Sequence, residues 1–362
     1  MSYNMSSSII IGKIIALINQ IAAQNKGTAL PGLIALKFNP NLINQIIHFN
    51  HLKSIIITGT NGKTTTAKLL GDILKLHQLP FIHNSSGSNL IRGIASALIS
   101  QSNWLGSLTA KLAIWEVDEA AIPEAIKQLQ PDLILFTNLS RDQMDRYGEL
   151  DTILQHWQTS FKFLPPTAKV FINQTDQRLI TLKSKNLVLF GQKNSDADYF
   201  QNSVFAATVL AQTLKLKPKL INRAITDFQP AFGRGETVNY QRTKMTIYLV
   251  KNPAGFNAIW AMLHQKNQLN KPLLIALNDL IADGADVSWI WDCRFNHLNY
   301  RQNPIIVSGL RAHDLALRLK YTGLNPKLII IEPNLTKALS YKPVNILPTY
   351  TAMMALRKII CA

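Results

Sequence analysis

The residues with the clearest chemical potential form a short glycine-rich run, Gly59–Thr66, in which Gly62 is followed by a lysine and three threonines. An apolar run, Ser54–Ile57, precedes it, and the pattern of a helix, Ala67–Leu76, follows it. Glycines allow backbone N–H groups to close on phosphate oxygens, and the N-terminus of the following helix attracts an anion. The run therefore predicts a loop that binds the phosphates of a nucleotide.

Within this loop, we expect Lys63 to place its charge on the transferring phosphate and the Thr64 hydroxyl to ligate Mg²⁺. The strict phosphate-loop pattern has a glycine five residues before Gly62, where this sequence has Ile57. An accidental glycine-rich turn is the alternative, but strand, loop and helix follow one another in the order that the motif requires. The residues expected to contact the nucleotide are Gly59, Thr60, Asn61, Gly62, Lys63, Thr64 and Thr65.

Carboxylates cluster at the end of a second apolar run, Lys111–Val117, which contains Glu116 and is followed by Asp118 and Glu119. Hard cations prefer oxygen ligands, so carboxylates at the carboxyl end of a strand beside a phosphate loop can hold Mg²⁺ directly or through water. Alternation along a strand places Glu116 and Asp118 on the same face. For Asp118 and Glu119, capping of the helical segment that follows is an equal alternative.

The composition, 47% hydrophobic and 16% charged, is typical of a globular chain. No apolar run reaches the roughly 20 residues that a spanning helix needs, and Ile9–Ala23, which Lys13 and Asn19 interrupt, is predicted to be a buried amphipathic helix. The net charge of +17 favours acidic partners, but the basic residues are too scattered for a nucleic-acid groove, so no nucleic acid is expected. The only cysteines, Cys293 and Cys361, are too few for a zinc site or a disulfide framework, which fits a cytoplasmic protein.

Apolar, β-branched runs alternate with helical patterns along the chain, which predicts parallel βαβ units. A linker is expected at Phe228–Glu236, between two sets of strands. We therefore expect a helical segment over residues 1–45, a nucleotide-binding α/β domain over 46–232 and a smaller α/β domain over 233–362. The predicted strands are Ser54–Ile57, Lys111–Val117, Leu133–Thr137, Lys169–Ile172, Leu187–Phe190, Met245–Val250, Leu273–Leu277, Ile305–Val307 and Leu328–Ile331.

The loop sequence GTNGKTT resembles the Mur ligase superfamily, and so does the run TNLSRDQMDRYG at Thr137–Gly148. Gln143 and Tyr147 stand where that superfamily commonly has histidines, so the resemblance does not extend to a histidine-dependent second metal. Longer runs across nearly the whole chain resemble the MurT family, the synthetase subunits of lipid II isoglutaminyl synthase. These runs are GTALPG at 27–32, NSSGSNLIRGIASAL at 84–98, EVDEAAIP at 116–123, KNPAGFN at 251–257, ADGADVSWIWD at 282–292 and LPTYTAMMALRKI at 347–359.

This resemblance implies a Mur ligase-like α/β fold, in which a phosphate-loop middle domain with a parallel sheet precedes a smaller Rossmann-like domain. It also implies that ATP and Mg²⁺ activate the D-glutamate α-carboxylate in the stem peptide of lipid II, or of its precursor at the inner membrane surface, as an acyl phosphate, which ammonia converts to D-isoglutamine. The ammonia comes from a partner, a GatD-like class I glutaminase. The implied location is the cytoplasm, and a peripheral position at the membrane's cytoplasmic face is left open. MurT proteins commonly carry a four-cysteine zinc ribbon, but Asn173–Tyr199 contains no cysteine.

The resemblance also suggests roles for residues beyond the phosphate loop. Glu116 resembles the strand-end glutamate that binds a metal, so Glu116 and Thr64 are expected to hold Mg²⁺, with Lys63 and Glu116 as catalytic residues. The run Lys251–Pro253 resembles the HNP turn of Mur ligases with lysine in place of histidine. The resemblance suggests that Asn89 and Arg92 contact substrate, and that Asn173 and Asp176 contact adenosine. It also suggests that Arg234 contacts the ATP phosphates and Asn252 the nucleotide. For all of these residues, turn, linker and surface roles stay as alternatives.

The C-terminal half contains an acidic run that is unusual in such a basic chain, Asn278–Asp292. In the MurT family, one aspartate of the synthetase orients the histidine in the cysteine–histidine pair of the glutaminase. We assign this role to Asp286, ahead of Asp292 and Asp283. The alternative is a turn at Asp283–Gly284 that is flanked by packing tryptophans.

Two other functions stay open at this stage. One is a stand-alone Mur ligase or folylpolyglutamate-type enzyme that adds an amino acid, and the other is a non-enzymatic scaffold with a decayed site. The intact Lys63, Thr64 and Glu116 argue against decay.

Overall fold

The computed structural model describes residues 2–21, 29–85, 88–140, 150–192, 199–229, 233–284, 286–295 and 302–360. The chain divides into two units: the first comprises Met1–Leu139 and Gly148–Phe228, and the second comprises Gln229–Ala362 together with Ser140–Tyr147. Each unit contains a six-stranded sheet. No helix in these ranges is long and apolar enough to cross a membrane.

The first unit begins with three helices, α1 (Ser2–Ile21), α2 (Leu30–Phe38) and α3 (Leu42–Asn50). Strands and helices then alternate, as the sequence predicts. The elements are β1 (Lys53–Thr58), α4 (Lys63–Leu76), β2 (Phe81–His83), α5 (Ile91–Gln101), β3 (Leu112–Glu116), α6 (Ile122–Leu129), β4 (Leu133–Phe136), α7 (Leu150–Ser160), β5 (Lys169–Asn173), β6 (Leu187–Phe190), α8 (Tyr199–Thr213) and α9 (Pro218–Thr226).

The first sheet is parallel throughout and has the strand order β2-β3-β1-β4-β5-β6. The central strand β1 is buried on both faces, which explains why Ile55, Ile56 and Ile57 form a continuous apolar run rather than an alternating one. Helix α4 covers part of this sheet with Leu70, Ile73 and other apolar residues. Strands β2 and β3 lie on one side of β1, and β4, β5 and β6 lie on its other side. Because the strand order reverses at β1, a crevice forms at the carboxyl end of this strand.

The second unit has its own sheet, in the order β11-β10-β9-β12-β8-β7, which is parallel except for the antiparallel pair β7 and β8. Its alternating strands and helices have the predicted Rossmann-like arrangement. The elements are β7 (Arg234–Tyr240), β8 (Thr243–Tyr248), α10 (Pro253–Gln265), β9 (Leu273–Ala276), β10 (Ile305–Ser308), α11 (Ala312–Lys320), β11 (Ile329–Ile331), α12 (Leu335–Leu339), β12 (Asn345–Pro348) and α13 (Tyr350–Ile360).

All nine predicted strands are present, but the sequence analysis missed β2, β7 and β12. The linker prediction for Phe228–Glu236 is wrong at its C-terminal end, because Arg234–Glu236 pair with β8. The register shifts between Arg234 and Glu236, and Gly235 has a φ of +90°. A glycine that looks like part of a linker therefore forms a β-bulge.

Candidate active site

The carboxyl ends of the strands in the first sheet bring the candidate catalytic residues together. The loop Gly59–Gly62 follows β1, Glu116 ends β3, and Thr137 and Asn138 follow β4. His83 ends β2, the neighbour of β3. Parallel strands end at one edge of the sheet, so residues that are far apart in sequence meet there.

The backbone of the loop adopts a conformation that requires glycine. Gly59 has a φ of +122° and Gly62, the residue that caps α4, has a φ of +89°. A Cβ atom on Gly59 would also approach the carbonyl oxygen of Asn138 to 2.6 Å. Gly62 is therefore needed for its backbone conformation, and Gly59 is needed both for its conformation and because a side chain would not fit.

Thr137 and Asn138 brace the phosphate loop, a role that the sequence analysis did not identify. Asn138 accepts a hydrogen bond from the Asn61 N–H through Oδ1 at 3.0 Å, and its Nδ2 donates to the Asn61 carbonyl at 2.9 Å. The Asn138 carbonyl accepts from the Thr60 N–H at 3.0 Å. The Thr137 hydroxyl lies 2.6 Å from the Asn61 carbonyl oxygen and 3.0 Å from that of Thr58. These contacts hold the loop in one conformation.

Lys63 is buried at the start of α4, with only 7% of its surface exposed. Its Nζ donates to the Gly59 carbonyl at 2.6 Å, and it lies 3.3 Å from Glu119 Oε2 and 3.7 Å from Asp118 Oδ1. A buried ammonium requires such partners, because desolvation of an unpaired charge is costly. Asp118 precedes the 3₁₀ helix Glu119–Ala121 but does not cap it with its side chain, and its carboxylate and that of Glu119 lie beside Lys63.

Thr64 and Glu116 form the oxygen-rich part of the site. The Thr64 hydroxyl donates to Glu116 Oε2 at 2.7 Å, and the other carboxylate oxygen lies 3.0 Å from His83 Nε2. Glu116 is only 3% exposed. A hydroxyl and a carboxylate that converge beside a phosphate loop match the ligands that Mg²⁺ prefers, so the predicted donor pair fits this metal. The sequence analysis missed His83, which belongs to a strand of only three residues.

Two further side chains fix the backbone of this region. Asn84 accepts from the Glu116 N–H at 2.8 Å and donates to the Glu116 carbonyl at 2.9 Å. The indole N–H of the fully buried Trp157 donates to the Glu119 carbonyl at 2.8 Å. Glu116 and Glu119 are therefore held by side chains from the end of β2 and from α7, neither of which is near them in sequence.

The candidate substrate residues lie at the start of α5. The Asn89 carbonyl accepts from the Asp118 N–H at 2.9 Å, which places Asn89 beside the carboxylates of the site. Arg92 lies in the first turn of α5 and is exposed. Their contact with substrate stays a prediction.

The candidate adenosine residues are engaged in hydrogen bonds within the first unit. Asn173 donates to the Thr137 carbonyl at 2.9 Å and accepts from the Thr175 N–H at 3.1 Å. Asp176 accepts from the Leu139 N–H at 2.7 Å. Both residues therefore tie the end of β5 to the segment that braces the phosphate loop, and their contact with adenosine stays a prediction.

The remaining nucleotide candidates, Arg234 and Asn252, belong to the second unit, and their contact with nucleotide stays a prediction. Arg234 begins β7, and its side chain lies outside the described residues. Asn252 caps α10 by accepting from the Gly255 N–H at 2.7 Å, and it is buried. The run Arg141–Glu149, with its Gln143 and Tyr147 departures, also lies outside the described residues.

The three candidate aspartates of the second unit have different environments. Asp283 is 5% exposed and accepts from the Thr351 N–H at 2.7 Å and from the Thr351 hydroxyl, so it anchors the start of α13. Asp286 is exposed and accepts from the Ser288 N–H at 2.8 Å and the Ser288 hydroxyl at 2.9 Å. Asp292 is also exposed. Of these three aspartates, Asp286 and Asp292 are accessible to another protein.

Cys293 has the environment of a structural residue. It is 3% exposed, and burial raises the pKa of its thiol; the charge of Arg318 lowers this pKa and that of Asp292 raises it. Its Sγ lies 3.7 Å from the Trp289 carbonyl oxygen. A buried, protonated thiol is a poor nucleophile. Across the described ranges, no group of three or more His, Cys, Asp and Glu residues could hold a metal ion, and Cys361 lies outside them.

Comparison with known proteins agrees with this geometry. Residues 57–226 match the model of the Mur ligase middle domain, and residues 249–353 match the model of the MurT ligase C-terminal region. The chain is 30% identical over 413 residues to the lipid II isoglutaminyl synthase (glutamine-hydrolyzing) subunit MurT of Staphylococcus aureus strain COL, with 92% of each chain covered. The chain belongs to the MurT family. The family resemblance inferred from the sequence is thus confirmed, and the protein is a Mur ligase-type ligase.

Solved structures with the same fold include MurF from Acinetobacter baumannii, with a TM-score of 0.67 at 18% identity, covering 90% of this chain and 80% of that one. Another is a bifunctional folylpolyglutamate synthase/dihydrofolate synthase from Yersinia pestis, complexed with AMPPNP and a Mn ion. It has a TM-score of 0.63 at 16% identity and covers 88% of this chain and 93% of that one. The predicted Mur ligase-like fold class is confirmed.

Proposed function

We propose that this MurT-family chain uses ATP to amidate the α-carboxylate of D-glutamate in the stem peptide of lipid II. The observation that carries the proposal is the convergence of Lys63, Thr64 and Glu116 at one end of a parallel sheet, in a chain that belongs to the MurT family. The named function of the relatives supplies the substrate, and the site supplies groups suited to phosphoryl transfer.

The proposed reaction has two steps. A carboxylate oxygen of D-glutamate attacks the γ-phosphorus of ATP, the bond to the bridging oxygen breaks, and ADP leaves. Ammonia then attacks the acyl carbon, phosphate leaves with the bonding electron pair, and the nitrogen loses a proton to give the amide. Most of the catalysis in such transfers comes from positioning and from stabilisation of the phosphoryl charge.

The residues of this chain have separate roles in the proposal. Lys63 moves its ammonium from the carboxylates of Asp118 and Glu119 towards the γ-phosphate, whose negative charge competes for it. The N–H groups at the start of α4 face the phosphates. Thr64 and Glu116 would hold Mg²⁺, which when bound neutralises charge on the phosphate oxygens.

The proposed source of ammonia is a glutaminase subunit. The relatives are named as subunits of a glutamine-hydrolysing enzyme, and the buried thiol of Cys293 is unsuited to attack glutamine. We propose that Asp286, on its exposed turn, accepts the imidazole N–H of the partner's catalytic histidine. Asp292 is the second candidate, and the burial of Asp283 argues against it. The complex would work in the cytoplasm, at the membrane surface where its lipid-linked substrate lies.

The test is amidation by the complex of this chain with its glutaminase, measured with glutamine and, separately, with free ammonia. Lys63→Ala should reduce both amidation rates by roughly 10³-fold or more, or about 4 kcal/mol, because it removes the charge that counters the γ-phosphate. Hydrolysis of glutamine by the partner should persist in this variant.

Lys68→Ala provides a matched control, because Lys68 lies on the same helix and pairs with Asp72 at 2.7 Å, away from the loop. It should leave both amidation rates close to those of the unaltered protein. Near-normal amidation by Lys63→Ala would refute the assignment of the phosphate loop. Failure of both the unaltered protein and the control to amidate any muropeptide acceptor, with nucleotide still bound, would refute the proposed reaction.

A further inference from the structure

Helix α1 is apolar on two faces, and the described structure covers only one of them. Met5, Ser8, Ile9 and Gly12 are buried, and a Cβ atom on Gly12 would lie 2.8 Å from Ile99 of α5. The predicted helix over Ile9–Ala23 is present as far as Ile21, its burial is confirmed for this face only, and Ala22 and Ala23 lie outside the described residues. A helix that is apolar all round normally has both faces covered.

The other face of α1 presents Ile10, Ile14, Leu17 and Ile18 to the surface. Their spacing of four, three and one residues places them on one side of a helix. The loop that contains Gly106 packs against the N-terminal half of α1 and adds two more exposed apolar residues. The α1 face, as we call it, consists of Ile10, Ile14, Leu17, Ile18, Trp104 and Leu105, which are between 39% and 68% exposed.

The charged residues of α1 and of the adjacent α2 are both lysines, Lys13 and Lys37. Residues 1–71 contain six lysines and no Asp or Glu, and the first acidic residue is Asp72. Lys13 lies at the edge of the face with its Nζ 5.6 Å from the centre of the Trp104 ring, and Lys37 of the adjacent α2 is exposed. Aliphatic residues bordered by lysine and tryptophan are typical of helices that lie in a membrane interface. The single sign of charge matches a lipid surface that carries negative charge.

We propose that the α1 face docks on the surface of an anionic bilayer, with α1 lying parallel to the membrane plane. This inference rests on the proposed function, because the lipid-linked substrate is found at such a surface. The aliphatic side chains enter the boundary between headgroups and acyl chains, Trp104 lies at the headgroup level, and Lys13 contacts anionic headgroups. Docking keeps the protein beside its substrate.

The test is flotation of the full chain with vesicles of phosphatidylcholine and phosphatidylglycerol in equal parts, and with vesicles of phosphatidylcholine alone. The unaltered protein should bind the mixed vesicles, and binding should weaken at high salt and with the neutral vesicles. Ile14→Glu combined with Leu17→Glu should reduce the partition coefficient at least about tenfold, because two carboxylates would enter an apolar, anionic layer. A Trp104→Phe variant should lose part of the blue shift in tryptophan fluorescence that vesicles induce.

Ile180→Glu combined with Leu189→Glu is the matched control. These residues of the first unit are 44% and 50% exposed, close to the 47% and 50% of Ile14 and Leu17, and the charge change is the same. The control should bind vesicles like the unaltered protein. Equal binding by both double variants, or no binding of the unaltered protein to the mixed vesicles, would overturn the proposal.

Two measurements distinguish membrane docking from dimerisation and from the proposed reaction. If the unaltered protein is a dimer that does not bind vesicles, and Ile14→Glu with Leu17→Glu makes it a monomer, the α1 face is covered by a second copy and the proposal is wrong. Ammonia-dependent amidation of a water-soluble muropeptide by the complex requires no membrane. Its success without vesicle binding would refute docking alone, and vesicle binding without such amidation would refute the proposed function alone.

Discussion

Replacing Asn138 by alanine should weaken nucleotide binding while leaving the protein folded. The Asn138 side chain makes two hydrogen bonds to Asn61 in the phosphate loop, accepting from its N–H at 3.0 Å and donating to its carbonyl at 2.9 Å. It contacts no nucleotide in our assignment. Its effect on binding should therefore come only from the conformation that it imposes on the loop.

The expected size of the effect follows from these two bonds. Each typically contributes about 1 kcal/mol net, so the alanine variant loses up to about 2 kcal/mol that favours the binding-competent loop. If that loss falls entirely on the equilibrium of the loop, the apparent affinity decreases up to about 30-fold, since the Kd rises as the competent fraction falls. Asn138 is only partly buried, so water can replace part of each bond and the effect should lie below this limit. We expect a five- to 30-fold increase in Kd, roughly 1–2 kcal/mol.

The assay is calorimetric titration of a non-hydrolysable ATP analogue with Mg²⁺, together with the melting temperature. Asn186→Ala is the matched control: Asn186 is also partly buried, and its side chain donates two hydrogen bonds, to the Pro166 and Ala168 carbonyls at 2.9 and 3.1 Å. Asn186 precedes β6, which is an edge strand, whereas the phosphate loop follows the central strand β1. In this parallel sheet, Asn186 therefore lies at the opposite end of the strands from the loop. Both variants should lower the melting temperature by similar amounts, but only Asn138→Ala should raise the Kd.

A second variant sharpens the test. Asn138→Asp keeps an acceptor for the Asn61 N–H but replaces the donor with a negative charge beside the Asn61 carbonyl and the phosphate site. It should bind nucleotide more weakly than Asn138→Ala. A Kd for Asn138→Ala within about twofold of the unaltered protein, a difference under about 0.4 kcal/mol, would show that the loop holds its conformation without this brace.

Three further experiments address other parts of the molecule. Gly59→Ala should weaken nucleotide binding more than Asn138→Ala, because the new Cβ clashes with the Asn138 carbonyl and a φ of +122° strains alanine by on the order of 1–3 kcal/mol; an unchanged Kd would contradict this. Asp286→Asn should suppress glutamine hydrolysis by the complex and spare ammonia-dependent amidation, whereas unchanged hydrolysis would transfer the role to Asp292. Removal of zinc by a chelator should leave the melting temperature of the purified protein unchanged, and a clear drop would reveal a metal site that we have not identified.

The sequence by itself predicts the features whose causes are local. The phosphate loop depends on glycines and on residues adjacent to the start of a helix, so the run Gly59–Thr66 reveals it directly. The β-branched runs predict nine of the twelve strands in the described part of the chain, because each forms a continuous segment rich in Ile, Leu and Val. The three missed strands have local features that oppose the prediction: β2 has a single β-branched residue, Ile82, β7 contains a glycine bulge, and β12 ends in Pro348.

Only the tertiary structure decides which distant residues support the site. His83, Asn84 and Trp157 approach Glu116 and Glu119 because strands β2 and β3 are adjacent and α7 packs nearby, which no spacing in the sequence shows. Thr137 and Asn138 are visible in the sequence as a motif, but their hydrogen bonds to the loop follow from the pairing of β1 with β4.

Burial also separates residues that look alike in the sequence. Asp283 and Asp286 are three positions apart in one acidic run, yet Asp283 is buried against Thr351 and Asp286 is exposed. The isoleucines of α1 likewise cannot be told apart by residue type, but Ile9 is buried and Ile14 is exposed. The sequence determines the chemistry of each side chain and the local backbone, since both depend on neighbouring residues. Which side chains meet, and which reach solvent, depends on packing between elements that are distant in the chain, and only the tertiary structure decides it.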